Sequence, residues 1–178
     1  MCIAGAIAML GKSSWITLKA EVAQVLLDRA FQRALISGEA EKAWGWSDTW
    51  PVAEIRVPRL AARSIVLNGA SGEALAFGPA LLNETARPGD RGTSVIAAHR
   101  DTHFRYLQNV VVGDEVAVTR NDGLTFHFVV TSTRIAQWNH SGIDRHASGF
   151  NLVLSTCYPF DAVTSGTQRY IVEAALAP

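Results

Sequence analysis

Apolar residues Leu18, Val22, Val25, Leu26 and Leu35 recur near helical spacing between Thr17 and Ile36, with Lys19, Asp28, Arg29 and Arg33 on the other face. The pattern predicts an amphipathic helix that stops near Gly38. The next stretch, Ala43 to Pro51, sets Trp44, Trp46 and Trp50 among Gly, Ser, Asp and Pro, and reads as an irregular segment laying aromatic rings over an apolar surface. Beyond Val52 the period changes to two. Ala53 to Val57, Ser64 to Leu67, Ser94 to His99, Glu115 to Thr119, Leu124 to Val130, Phe150 to Cys157 and Arg169 to Leu176 are strand candidates. Asn68-Gly69, Pro88-Gly89-Asp90 and Asp122-Gly123 mark turns, the last joining two alternating runs into the clearest hairpin of the chain. Seven or eight short strands after one helix predict an all-β barrel or sandwich. The chain divides into an N-terminal apolar segment and helix, residues 1–45, and a β domain, residues 46–178.

The first charged residue is Lys12, and Met1 to Leu10 is wholly apolar or Gly. That stretch is shorter than the ~20 residues a bilayer span needs and has no basic residues ahead of it. It fits three arrangements: part of a membrane span, a lead into a buried helix, or a peripheral anchor. Sixteen Lys and Arg balance sixteen Asp and Glu without blocks of like charge, which argues against a nucleic-acid partner. With 48% hydrophobic and 18% charged residues the chain has the makings of a packed core. Cys2 lies in the apolar lead, so Cys157 is the one cysteine of the β domain and reads as a free thiol.

Alternation puts Phe150, Leu152, Leu154 and Thr156 on one face of a strand and Asn151, Val153, Ser155 and Cys157 on the other. Cys157 ends that strand, and Arg169 opens the next. If the two pair antiparallel, thiol and guanidinium share one rim of the sheet. His99 ends the apolar run Ser94 to Ala98 in the same manner. A thiol is a nucleophile as thiolate, and an imidazole can take its proton and return it to a leaving amine. A guanidinium can stabilise the oxyanion that acyl transfer creates.

The strings around these three residues carry a family likeness. Leu152-Val-Leu-Ser-Thr-Cys157 resembles the L-x-x-x-T-C signature closing the catalytic strand of sortases, the cysteine transpeptidases of bacterial surfaces. Ala98-His-Arg-Asp-Thr-His-Phe104 is similar to the segment bearing their catalytic His, and Arg169-Tyr-Ile-Val172 to the strand bearing their essential Arg. The three stand in the family's order, and the likeness runs from Trp46 to Val172. Trp46-Ser-Asp-Thr-Trp-Pro-Val-Ala53, Leu75-Ala-Phe-Gly-Pro79, His99-Arg-Asp-Thr-His-Phe104 and Thr156-Cys-Tyr-Pro-Phe-Asp161 resemble the sortases of Gram-negative marine and related proteobacteria. In place of the Gly that commonly precedes the catalytic His stands Ala98.

The resemblance implies a closed eight-stranded β-barrel with an N-terminal helix and short connecting helices. Cys157 would attack a Thr-x peptide bond in the C-terminal sorting signal of a secreted protein, with His99 as acid and base and Arg169 on the substrate backbone or oxyanion. An amine acceptor would resolve the thioester. Thr156 and His103 are expected to help shape the substrate groove. No metal or organic cofactor is implied, and the setting is the periplasmic side of the inner membrane.

Other readings of the same residues are weaker. His99 and His103 have the spacing of a helical zinc pair, but Arg100 stands where the general base would be. Ser71 lacks the following x-Gly of a nucleophile elbow. The alternative of another class is a β-barrel binding module with peptide or lipid in its interior or at one rim and a structural Cys157.

Overall fold

The computed structural model describes residues 22–164 and 166–178. Eight strands close into a barrel in the order β1-β2-β3-β4-β7-β8-β6-β5. They are β1 (Pro51–Val57), β2 (Ala62–Asn68), β3 (Ala80–Leu81), β4 (Gly92–Ala97), β5 (Glu115–Arg120), β6 (Thr125–Gln137), β7 (Phe150–Tyr158) and β8 (Gln168–Leu176). Helix α1 covers 22–37 and α2 covers Gly72–Phe77, capped by the Ser71 side chain accepting from Ala74 N. The apolar lead and the first turns of the expected helix, with Leu18 and Lys19, lie outside the described residues. No helix among the described residues is long and apolar enough to cross a membrane.

The alternation read from the sequence is the barrel's inside and outside. Ile55, Val57, Val66, Ile96, Val116, Val118, Phe128, Val130, Leu152, Leu154 and Val172 point inward and pack with Phe104 and Leu107. The interior is therefore filled by side chains, as in small closed barrels. On β2 the outward residues are buried as well, because Ile65 and Leu67 meet Leu27 and Phe31 of α1 and Ala74 of α2.

This contact corrects the expected face of the first helix. Ala23, Leu27, Ala30, Phe31 and Ala34 are its buried residues, whereas Val22, Val25 and Leu26 are exposed. Three alanines add little to a hydrophobic pattern, but their small side chains let the helix lie close on β2. Gln24 secures the contact, accepting from Ile65 N at 2.8 Å and donating to Phe77 O at 2.8 Å. In the Trp-rich segment, Trp44 packs edge-on against Phe77 at 4.9 Å, while Trp46 stays 84% exposed. Trp50 is half-buried beside Val52 and Leu81, so the one ring of the three left in solvent is that of Trp46.

Two glycine turns separate backbone strain from crowding. Gly89 and Gly123 hold φ of +89° and +84°. A Cβ on Gly89 would collide with the Phe126 ring, while one on Gly123 would meet nothing within 4 Å. Gly123→Ala is expected to lower stability by about 1–2 kcal/mol through strain alone. Gly89→Ala should lose roughly 1–3 kcal/mol more from overpacking. Thermal unfolding of both variants checks this, and equal losses would mean that the ring moves aside freely.

Candidate active site

The site is assembled by register. Strands β4 and β7 run parallel, with Ala97 opposite Ser155, and β7 and β8 run antiparallel, with Cys157 opposite Arg169. The β4–β7 alignment continues beyond the last strand residue, since Ala98 N donates to Ser155 O at 3.2 Å. It brings His99 level with Cys157. Inward-facing Ala98 and Thr156 are 7% and 2% exposed, so their neighbours His99 and Cys157 belong to the outer face. His99 is exposed, and Cys157 and Arg169 are half-buried. Imidazole, thiol and guanidinium thus stem from one row across three adjacent strand ends.

Below that row the outer face is apolar. Val95, Val153 and Ile171 form a buried patch with Leu82, Ala136 and Ile143 packed against it. The β6–β7 connection is held to the foot of β4 by Thr93 Oγ1 donating to Asp144 O at 2.7 Å and by Gly92 N donating to Gly149 O at 2.9 Å. Arg134 braces it from β6 through Ser141 O and Glu173. The Ser132 hydroxyl, then the Arg134 guanidinium, hold the Glu173 carboxyl below the usual carboxylate range despite its partial burial.

Thr156 serves this row from behind. Its hydroxyl donates to Ala98 O at 2.8 Å inside the barrel, so the side chain fixes the turn carrying His99 and is turned away from the outer face, which leaves the backbone of Thr156 as its part of the expected groove. Ala98 itself fits without strain. The non-glycine residues with positive φ among those described are Ala61 and Glu84, and the Ala98 methyl is packed in the core. The position asks for nothing that only glycine supplies.

Among the described residues Arg169 makes no hydrogen bond to the Cys157 sulfur. Its Nη1 donates to Gly166 O at 3.1 Å and to Gln168 O at 2.9 Å, so the guanidinium rests on the end of the β7–β8 connection. Sequence reasoning missed Arg100, which is 9% exposed and donates to Ala162 O and Thr164 O of the same connection. Its place beside His99 was the available signal, but spacing cannot name carbonyl partners sixty residues away.

His103 stands behind His99 rather than in the row. It lines a cleft of about 620 Å³ between α1, the start of β2 and the turn after β4, together with Asp28, Arg63, Asp101 and Tyr106. None of the three row residues lines that cleft. The Nε2 of His103 is buried without a partner among the described residues. Burial first, and then the nearby His99, lower its pKa to about 4, against a smaller opposing effect of Asp101. The folded state therefore favours neutral His103. Between pH ~6.5 and ~4 the unfolded chain binds this proton more readily, so stability should fall by up to about 3 kcal/mol as pH drops through that window. In His103→Gln that part of the slope should vanish, as chemical denaturation across the pH range will show; an unchanged slope would place the titration elsewhere.

Known proteins bear on this arrangement. The family model described as the sortase domain matches residues 55–177. Sortase D of Bacillus subtilis is 28% identical over 120 residues, which are 66% of this chain and 60% of that protein. The chain thus spans less than two-thirds of that relative's length. A Clostridium perfringens sortase D5 transpeptidase superposes with a TM-score of 0.69 over 89% of this chain and 98% of its own, at 19% identity. Sortase E from Streptomyces avermitilis does so with a TM-score of 0.60 over 72% of this chain and 88% of its own, at 30% identity. The matched span runs from the last residues of β1 through β8 with His99, Cys157 and Arg169 inside it, and the chain belongs to the sortase domain family.

Proposed function

We propose that this chain is a cysteine transpeptidase that cuts the C-terminal sorting signal of a secreted protein and joins the new carboxyl end to an amine. The observation that carries the reading is the row of His99, Cys157 and Arg169 on one outer face. The Cys157 sulfur attacks the scissile carbonyl carbon after its proton passes to His99. The tetrahedral oxyanion collapses to a thioester as His99 gives a proton to the leaving amine. An acceptor amine, deprotonated by His99, attacks the thioester; a new amide forms and the thiol is restored. Arg169 stabilises the oxyanion in both halves. Water in place of the amine gives hydrolysis.

The filled interior favours this reading over a barrel that binds its ligand inside. The four strings quoted from Trp46 to Asp161 support placing the chain with the Gram-negative marine sortases, and the apolar lead Met1 to Leu10 supports tethering at the inner membrane with the barrel in the periplasm. In that setting an exported substrate and its acceptor meet the enzyme at the membrane surface.

Incubation with a panel of candidate sorting peptides, followed by intact-mass analysis, should trap a thioester on Cys157 that hydroxylamine releases. Cys157→Ala should abolish turnover, and His99→Ala and Arg169→Ala should each lower kcat/KM at least about a hundredfold while circular dichroism remains that of the folded protein. Turnover by Cys157→Ala would overturn the proposal.

A further inference from the structure

Arg100 follows His99 in sequence, yet its side chain reaches the connection between Cys157 and Arg169. Nη2 donates to Ala162 O at 2.6 Å and to Thr164 O at 2.8 Å. From the other end of the connection, Arg169 Nη1 donates to Gly166 O and Gln168 O. Two guanidiniums therefore grip one strip of backbone at four alternate carbonyls. Hydrogen bonds from an ionised donor are about twice as strong as neutral ones. Among the described residues the strip's other backbone bonds are Trp138 N donating to Thr167 O at 2.8 Å and a long one of 3.4 Å from Ala162 N to Pro159 O, and Val163 between the two Arg100 contacts is fully exposed.

Arg100 is an unusual residue to bury for packing alone. It is 9% exposed, its Nη1 has no partner among the described residues, and Nη2 meets carbonyls instead of a carboxylate. Burying an ionised group with one nitrogen idle is costly. What the arrangement achieves is a fixed distance between the turn that carries His99 and the loop on which Arg169 rests. The turn is itself fastened to β7 on both sides of Ala98, through Ser155 O and Thr156 Oγ1.

We infer that Arg100 is a positioning residue for acyl transfer: by clamping the β7–β8 connection it sets the place from which Arg169 engages the group bound at Cys157. This rests on the transpeptidase reading of the site. The claim separates from a merely structural role through a double-mutant cycle, because a residue that acts through Arg169 has nothing left to contribute once Arg169 is gone.

The measurements are single-turnover thioester formation, followed by mass, and hydrogen exchange of the amides from Ala162 to Gln168, in the full chain. Arg100→Ala should slow acylation roughly ten- to hundredfold, the loss that misplacement on the order of 1 Å brings. It should also speed exchange in the connection, while iodoacetamide still alkylates Cys157. Arg100→Ala with Arg169→Ala should be no slower than Arg169→Ala alone. Additive losses, or an unchanged rate in Arg100→Ala, would overturn the inference. Should Arg100→Ala not fold, Arg100→Lys, which keeps the charge without the planar fork, enters the same cycle with the same criterion. Cys157→Ala separates the two levels. If it still turns over peptide, the transpeptidase reading fails, whereas a dead Cys157→Ala with an additive cycle removes the clamp alone.

Discussion

The parallel ladder between β4 and β7 is the constraint on which the rest of the site depends. Parallel strands leave a sheet at the same edge, and the antiparallel return of β8 begins where β7 ends, so one choice of pairing delivers three strand ends to a single rim. Because side chains alternate with a period of two, the ladder must also be in register to the residue. A slip of one position would turn Thr156 outward and bury the thiol. The bonds that prevent the slip lie at the last possible place, from Ala98 N to Ser155 O and from Thr156 Oγ1 to Ala98 O. The threonine beside the cysteine thus has a mechanical task that its neighbour's chemistry requires.

Much of this was legible because it depends on alternation. The face that carries Val153, Ser155 and Cys157 follows from sequence order alone, and so does the shared edge with Arg169 once antiparallel pairing is assumed. What stayed hidden depends on particular contacts. Strand β3 has two residues, Ala80 and Leu81, too few to show any period, and helix α2 has six residues with Gly at its start. Strand β6 runs to Gln137, well past Val130, through a bulge where its register to β8 shifts between Val130 and Ser132, and the polar residues there conceal it. The first helix shows the opposite failure. Its apolar residues lie on more than one side, and the side that packs carries Leu27 and Phe31 between alanines that allow a close approach, leaving Val22, Val25 and Leu26 in solvent.

The balanced net charge conceals a division among the arginines. Away from the site several are matched to carboxylates: Arg59 to Asp114 at 2.7 Å, Arg56 and Arg63 to the buried Glu54, Arg120 to Asp90 and Asp122. At the site, Arg100 and Arg169 donate to backbone carbonyls. A carboxylate would cancel the charge of Arg169 and hold it with the full strength of an ion pair. Neutral carbonyls place the guanidinium while leaving its positive charge uncancelled, and on the transpeptidase reading that charge would serve an anion that exists only during reaction.

The filled interior also limits where a substrate can lie. On the transpeptidase reading, with Phe104, Leu107 and Phe128 closing the barrel's inside, a peptide has the outer face to follow. There Val95, Val153 and Ile171 are themselves buried beneath the half-buried Leu82, Ala136 and Ile143, so what such a peptide could touch is this covering layer and not the strand residues below it. On β7, Val153 precedes Cys157 by four positions, or about 13 Å of strand. The covered patch and the row of imidazole, thiol and guanidinium are thus set apart along one strand, and the spacing between them is fixed by the same ladder that fixes the site.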